Sequence, residues 1–486
     1  MKLPKLFSRK DRDQKPGTTE TKIPREIVVM AWVLVLGAIA PMLDSTMVNI
    51  AINQLGHDFA TTLSTVQWVM TGYILATGVA VPLSGWLTKR FDGKQVFIFA
   101  EAGFLLTSLM CGLSWNIESL IIFRLFQGMT AGILIPMLMN LLLAKAGHEN
   151  LGRLMATVSL PVVLGPILGP VLGGFIVQYL DWRWMFFVNI FVALLAVIVC
   201  AKVLPKFPAT EPKAHLDFVG LGLLASLSTA FIYGIVQAGE QATFANSQTI
   251  LWCSVGVVCL IIYMIYAKIR REKALVPLDL FRHRNFSAVN VGLFLAGIAT
   301  NGPMLLLPLL FQNVRGLTVV GAALMLLPQG IGMLIARPII GKLIDKIGAK
   351  WVVMASLAIT VIGTLPLVWV GVNTSNWWIW LVLFVRGIGV GGITIPLMTD
   401  AYTGIAKEEV PAATTDTRIV QNIGGAFGSA VLATVVAASL SGFAKPSVAH
   451  FATAYQDGFL VATILALIIF IPGLFLTDKS KIAKEP

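Results

Sequence analysis

The sequence predicts an all-α polytopic membrane protein whose 14 transmembrane helices are arranged 6 + 2 + 6. Three observations carry this expectation. Hydrophobic residues fill 57% of the 486 positions and charged residues only 12%, against about 25% charged in an ordinary soluble protein. Apolar runs of bilayer-spanning length recur along the whole chain. The last six of them repeat features of the first six at a nearly constant offset, which leaves two unmatched in the middle.

A hydrocarbon core about 30 Å thick needs roughly 20 apolar residues in a helix, because only a helix or a closed barrel satisfies its own backbone in lipid. Runs of that kind lie at about 27–52, 66–88, 96–113, 117–142, 154–178, 184–203, 217–238, 249–267, 286–310, 318–341, 351–370, 377–399, 414–440 and 457–476. They are rich in leucine, alanine, methionine and glycine and lack the alternating pattern of barrel strands. The 26 mostly polar residues before the first run set it apart from a secretory signal peptide, whose basic region is much shorter. The run is expected to remain as a span.

The net charge of +12 is a matter of topology. With the N-terminus inside, 29 of the 36 lysines and arginines fall on cytoplasmic segments, as the positive-inside rule requires. Only Arg183, Arg315 and Lys445 fall outside, and Arg124, Arg337, Arg386 and Arg418 fall within spans. No basic patch or binding motif remains to suggest a nucleic-acid partner. The 4 cysteines, Cys111, Cys200, Cys253 and Cys259, show neither metal-ligand nor extracellular disulfide spacing and read as packing residues.

The internal repeat is visible in two loops. Gly85-Trp-Leu-Thr-Lys-Arg-Phe-Asp-Gly-Lys94 after the second span matches Gly341-Lys-Leu-Ile-Asp-Lys-Ile-Gly-Ala-Lys350 after the tenth, at an offset of 256. Arg124 matches Arg386 at an offset of 262, and Gly169 and Gly173 match Gly424 and Gly428 at 255. The expected organisation is a cytoplasmic tail (1–26), a six-helix bundle (27–204), two additional helices with a cytoplasmic linker (205–285), a second six-helix bundle (286–476) and a short cytoplasmic tail (477–486). The charged part of the linker, 268–285, has two readings: an amphipathic segment on the membrane surface, or a solvated loop.

On these motifs the chain resembles the major facilitator superfamily, in its fourteen-helix drug:proton antiporter branch of the EmrB/QacA type. The first span carries Leu43-Asp44-Ser45-Thr46-Met47-Val48-Asn49-Ile50-Ala51, the second opens on Gln67-Trp68 and Tyr73, and the fourth carries Arg124-Leu-Phe-Gln127-Gly128. The fifth carries Gly165-Pro166-Ile-Leu-Gly169-Pro170-Val-Leu-Gly173-Gly174, similar to the antiporter signature, and Asp181-Trp182-Arg183-Trp184-Met-Phe-Phe-Val-Asn189 leads into the sixth. The resemblance implies a major facilitator fold, alternating access and proton coupling. It also implies gating roles for Gly85 and Gly341, for the aspartate of the loop motif, and for the glycines and prolines of the fifth span. Here Asp345 keeps the locking aspartate, whereas the first loop has Lys89 in its place, with Arg90 or Asp92 as substitutes.

An ionisable side chain within a span is costly and therefore a functional candidate. Asp44 and Arg124 lie at one depth, roughly 10–12 Å below the outer surface at 1.5 Å per residue. Either they form a permanent structural ion pair, or Asp44 takes a proton from outside while Arg124 holds its charged form. Glu101 lies close enough to the cytoplasmic end of the third span to snorkel, and structural and proton-coupling readings stand side by side. Asp416, at the start of the thirteenth span, either serves a helix N-terminus, the preferred reading, or helps to bind a cation. Asp400 is expected at the interface. Trp68, Tyr73, Gln127 and Asn301 are candidates for lining a substrate cavity near the midplane.

These residues point to a secondary active exporter in a cell membrane (plasma or inner), with both termini cytoplasmic. It would move amphipathic, often cationic, compounds against protons, with no cofactor and no metal. No nucleotide-binding Gly-x-x-x-x-Gly-Lys-Ser/Thr loop occurs, and none of the 5 histidines lies in a span. The chain is expected to be a monomer, joined by a membrane-fusion partner in a two-membrane bacterium. Other readings are a dedicated exporter of one metabolite, lipid or antibiotic, including metal-tetracycline or cation antiport, and, from another class, a membrane sensor or enzyme.

Overall fold

The computed structural model describes residues 24–476 apart from 62, 147–159, 242, 272–273, 407–408, 442 and 444–446. Both expected tails and most of the loop after the fourth span lie outside the described residues. Among the described residues every regular element is helical. In chain order these are α1 (Arg25–Met47), α2 (Ile52–Asp58), α3 (Leu63–Arg90), α4 (Gly93–Gly112), α5 (Ile117–Ala146), α6 (Leu160–Tyr179), α7 (Trp184–Val203), α8 (Phe218–Glu240) and α9 (Ser247–Arg270). There follow α10 (Arg284–Asn313), α11 (Val319–Met325), α12 (Leu327–Ile347), α13 (Ala349–Thr364), α14 (Asn376–Gly391), α15 (Thr394–Ala401), α16 (Val410–Leu440), α17 (Val448–Ile468) and α18 (Phe470–Gly473).

Thirteen of the described spans are long and apolar enough to cross a membrane, and α6, with 20 residues, coincides with the fifth expected run. Three expected spans are each built from two helices, the fourteenth of them from α17 and α18. The tenth breaks at Leu326 between α11 and α12, and the twelfth breaks between α14 and α15 beside Gly392. The last span begins at Val448, ahead of the 457 expected, because Asp457 does not end it. The Asp457 carboxylate accepts a hydrogen bond from Ser439 Oγ of α16 at 2.8 Å, so a charged residue is accommodated within the helix.

Lipid offers helices little apolar driving force for association, so close approach depends on small residues. Gly165, Gly169 and Gly173 form one face of α6, and each sits against α1: Gly165 at the Met42 carbonyl, Gly169 at Thr46 and Gly173 at Met47. Thr46 Oγ1 donates to the Gly165 carbonyl at 2.9 Å. In the second half Gly424 and Gly428 of α16 meet the backbone of α10 at Phe294 and Ile298. The sequence repeat is thus a repeat of helix seams. Gly174 faces the other way, toward Val320 of α11, and joins the two halves.

The unmatched pair α8 and α9 pack on each other, and α8 also touches α3 and α16, one helix from each half. α9 shows Ile250, Leu251, Val258 and Ile265 on its outer surface, as a lipid-facing helix should. The linker that follows fits neither earlier reading. Ala274, Val276 and Leu280 are buried, and Tyr263 Oη donates to the Val276 carbonyl at 3.1 Å while accepting from its N–H at 2.8 Å. The segment packs into the protein. Cys111 and Cys200 are buried and Cys253 and Cys259 half-buried, all as free thiols.

The α1–α6 seam gives a direct test. Gly169→Ala places a methyl group on Thr46 and should lower stability by about 1–3 kcal/mol. Gly222→Ala in α8, where nothing lies within 4 Å, should be neutral or slightly stabilising. Thermal unfolding of the purified variants in detergent measures both.

Candidate functional site

The two charges matched in depth by sequence meet in the structure. Asp44 on α1 is 0% exposed and Arg124 on α5 is 1% exposed, and Arg124 Nη1 donates to Asp44 Oδ2. Burying either charge alone would cost several kcal/mol. The surroundings satisfy both. Asn189 Nδ2 of α7 donates to Asp44 Oδ1 at 2.7 Å, and Arg124 Nε donates to the Val69 carbonyl of α3 at 3.0 Å.

Gln127, one turn after Arg124, ties the pair to α4. Its Oε1 accepts from Arg124 Nη1 at 2.7 Å, and its Nε2 donates to Ser108 Oγ at 2.7 Å and reaches Asp44 Oδ1 at 3.5 Å. The Tyr73 ring lies 4.1 Å from the Arg124 guanidinium carbon, and Phe186 lies 5.7 Å from it. Tyr73 Oη donates to the Pro41 carbonyl at 3.4 Å, and Cys111 Sγ lies 3.6 Å from Gln127 Oε1. Five helices therefore contribute to one water-poor cluster holding a single acid and a single base.

Of the residues singled out by sequence, Asp44, Arg124, Tyr73 and Gln127 belong to this cluster. Trp68 does not. It is 43% exposed and stacks on Tyr233 of α8 with ring centroids 6.0 Å apart. Asn301 is exposed on α10 and abuts Gly425 of α16. Sequence reasoning assigned no role to Asn189 or Ser108. Asn189 stood inside a quoted motif, and its fixed spacing after Trp182, also 0% exposed, was the available signal.

Two expectations about acids are corrected. Glu101 does not snorkel: it is 0% exposed on α4, where α4 packs on α5 and α7 and Gly37 of α1 lies against the Glu101 carboxyl. Asp416 does not serve a helix N-terminus. α16 starts at Val410 and has no acid in its first turn, which leaves Asp416 nearly two turns inside, hydrogen-bonded to Asn290 of α10. Asp400 is buried within the protein, in the last turn of α15.

The gating residues divide. Gly85 lies on the contact of α3 with α16, where an added Cβ would stand 3.1 Å from Thr415 Oγ1. Gly341 is buried in α12 and Asp345 half-buried near its end. Gly165, Gly169, Gly173 and Gly174 hold the seams described above, and α6 continues through Pro166 and Pro170, whose side chains lie outside the described residues. Lys89, Arg90 and Asp92 in the first loop each have a local partner. Asp92 caps α4, accepting from the N–H of Lys94 at 2.9 Å. Arg90 Nη1 donates to the Ala214 carbonyl at 2.7 Å, and Lys89 pairs with Glu211 at 3.6 Å. All three are engaged by residues of 89–95 or 211–214.

Comparison with known proteins decides the family. Residues 34–429 match the model of the Major Facilitator Superfamily. The chain belongs to the major facilitator superfamily. A multidrug resistance protein B homolog of Mycobacterium tuberculosis is 30% identical over 411 residues, covering 84% of this chain and 75% of the relative. The multidrug export protein EmrB of Haemophilus influenzae is 31% identical over 409 residues, covering 83% and 79%. Among solved structures, the human organic anion transporter MFSD10 (TETRAN) superposes with a TM-score of 0.63 over 93% of this chain and 100% of that one, at 15% identity, a likeness of fold. This major facilitator is a multi-pass membrane transporter, not an enzyme.

Within this major facilitator the two halves treat their matched arginines differently. Arg386 is 0% exposed, and its Nη1 donates to Gln329 Oε1 at 2.6 Å and its Nε to Thr364 Oγ1 at 3.3 Å. No carboxylate meets it among the described residues. Among the described residues, Arg124 is thus the one of the two matched arginines that is paired with an acid.

Removing one partner of that pair tests its energetics. Arg124→Gln leaves the Asp44 carboxylate buried without its cation and should cost about 3–5 kcal/mol. Adding Asp44→Asn to it should recover a large part of the loss, read as the coupling term of a double-mutant cycle in thermal unfolding.

Proposed function

We propose that this transporter exports amphipathic and cationic drugs in exchange for protons by alternating access. The relatives named for multidrug resistance and multidrug export support the substrate class. The coupling proposal is carried by one observation, the buried Asp44 whose cationic partner among the described residues is Arg124.

In that cluster a proton has one place to act. The charged carboxylate holds the guanidinium and accepts from the Asn189 amide, and these contacts lose roughly half their strength when the acid is neutral, since charge-assisted hydrogen bonds are roughly twice as strong as neutral ones. A proton arriving from outside neutralises Asp44, loosens α1 from α5 and α7, and favours the conformation that opens inward. Release to the cytoplasm restores the pair and draws the helices together again. Arg124, always charged, is the fixed counter-charge of the cycle.

The remaining assignments follow from this reading. The chain sits in the plasma or inner membrane with both termini cytoplasmic, organised as six, two and six spans, with α8 and α9 as the additional pair. It works as a monomer, with a membrane-fusion partner where the cell has two membranes. Gly85, Gly341 and Asp345 take part in gating at the cytoplasmic ends of α3 and α12. Asp416 and its neighbour Asn290 stand as a further polar contact between α10 and α16 that charge changes can influence.

Proteoliposomes with an imposed pH gradient, acid on the physiological outer face, test the proposal through movement of ethidium. Gradient-driven transport is expected from the wild type and its loss from Asp44→Asn, with the variant still folded by thermal unfolding. A wild type indifferent to the gradient removes proton coupling. Full coupled flux in Asp44→Asn moves the coupling role elsewhere, and transport of a single compound from a panel selects a dedicated exporter.

A further inference from the structure

Glu101 differs from every other acid discussed above. It is 0% exposed, and neither carboxyl oxygen has a hydrogen-bond partner among the described residues. Opposite it on α1 is Gly37, where an added Cβ would lie 3.2 Å from Oε2 and 2.9 Å from the Phe97 ring. Glycine at 37 leaves just enough room for the carboxyl group. Burying a carboxylate with no hydrogen bond and no cation is prohibitive, whereas a neutral acid is tolerated.

The charged and titratable groups on the surrounding elements do not compensate it. Lys94, two turns earlier on α4, donates through Nζ to the carbonyl oxygens of Ala201 and Leu204 at 2.7 and 2.8 Å. On α3, Lys89 and Arg90 are held by Glu211 and the Ala214 carbonyl. On α5, Arg124 is committed to Asp44 and Lys145 is exposed, and on α7 Lys202 is exposed. Cys200 on α7 is the titratable group near enough to interact with Glu101, and its thiol points to the Val33 carbonyl of α1 at 3.8 Å.

The position of Glu101 relative to Asp44 gives this burial a meaning. Gly37 precedes Asp44 on α1 by two helical turns, and Glu101 precedes Ser108, which belongs to the Asp44 cluster through Gln127, by the same two turns on α4. Two layers about 10 Å apart therefore follow one another along α1 and α4: Glu101 abuts α1 directly at Gly37, while Ser108 reaches Asp44 through Gln127 of α5. The outer layer holds an ion-paired acid, and the layer nearer the cytoplasm holds an acid alone, with the buried Phe104 between them.

We propose that Glu101 is a second proton-carrying carboxyl of the transport cycle, loaded as the neutral acid in this conformation and discharged to the cytoplasm when α4 parts from α1 at Gly37. The step moves one proton. The Glu101 O–H bond breaks to cytoplasmic water once water reaches it, and the carboxylate left behind, stable only while hydrated, re-forms its O–H bond with the proton that Asp44 has taken from outside, whose own O–H bond breaks in that transfer, before α4 closes on Gly37 again. This inference rests on the proton-coupled reading of the transporter.

Infrared difference spectroscopy of the purified protein between high and low pH should reveal the carbonyl stretch of a buried protonated carboxylic acid. That band should persist in Asp44→Asn, vanish in Glu101→Gln and return in Glu101→Asp. In proteoliposomes Glu101→Gln should shift the pH profile of gradient-driven flux by about one unit or more, with Glu101→Asp closer to wild type; a group that only fills space would leave the profile of the isosteric glutamine variant in place. A wild type lacking the band, or a band unchanged in Glu101→Gln, overturns the proposal, as does an unchanged profile in a gradient-driven transporter. A wild type without gradient dependence refutes the coupled reading instead.

Discussion

A charge removed from water must be met by another charge or by a full set of hydrogen bonds, and in this transporter that requirement organises five helices around one carboxylate. α5 supplies the guanidinium, α7 the amide of Asn189, α4 the Ser108 hydroxyl that fixes Gln127, and α3 the Val69 carbonyl together with the Tyr73 ring. None of these helices can rotate about its axis or slide by a turn without leaving Asp44 or Arg124 uncompensated. The packing of the first half is thereby set by polar chemistry as much as by its apolar surface, which in a bilayer discriminates poorly between one helix face and another.

The glycine seams answer a different demand. They bring backbones close without interlocking large side chains, which lets two helices shift against each other at small cost. α6 runs along α1 through Gly165, Gly169 and Gly173, and α16 runs along α10 through Gly424 and Gly428. A polar lock across α1, α5 and α7 beside a smooth seam between α1 and α6 is a division of labour: the lock defines a state, and the seam gives α1 somewhere to move when the lock weakens.

Most of the fold was legible in the sequence because hydropathy over twenty residues reports a constraint that holds everywhere in a bilayer. The ends were less legible where polar residues sit inside helices. Asp457 hid the start of α17 since its partner Ser439 is 18 positions away, and the true start of α16 at Val410 changed the meaning of Asp416. The site was half legible. Asp44 and Arg124 declared themselves through the cost of a charge in a span, while Asn189, an uncharged amide, carried no such cost and became visible only through its 2.7 Å contact with Asp44. Trp68 and Asn301 were chosen for chemical type and expected depth, and neither quantity contains the rotation of a helix about its axis.

The asymmetry between the matched arginines explains how one proton can bias a structure built from two similar halves. Arg386 is held by the neutral Gln329 and Thr364, with its Nη2 left without a partner among the described residues, and neither contact changes with proton supply. Arg124 is satisfied by an acid that can be neutralised. The consequence reaches the other half through short covalent and packing steps. Thr46, two residues after Asp44, donates to the Gly165 carbonyl of α6, and Gly174, nine residues further along α6, rests on Val320 of α11. A displacement of α1 at Asp44 therefore acts on the helix that touches the second half. A symmetric arrangement, with a carboxylate on each of the matched arginines, would let protonation shift both halves alike and leave their relative orientation unbiased. On the proposed coupling, giving only Arg124 of the two a carboxylate partner among the described residues converts a local change of charge into a difference between bundles, which is the quantity that alternating access requires.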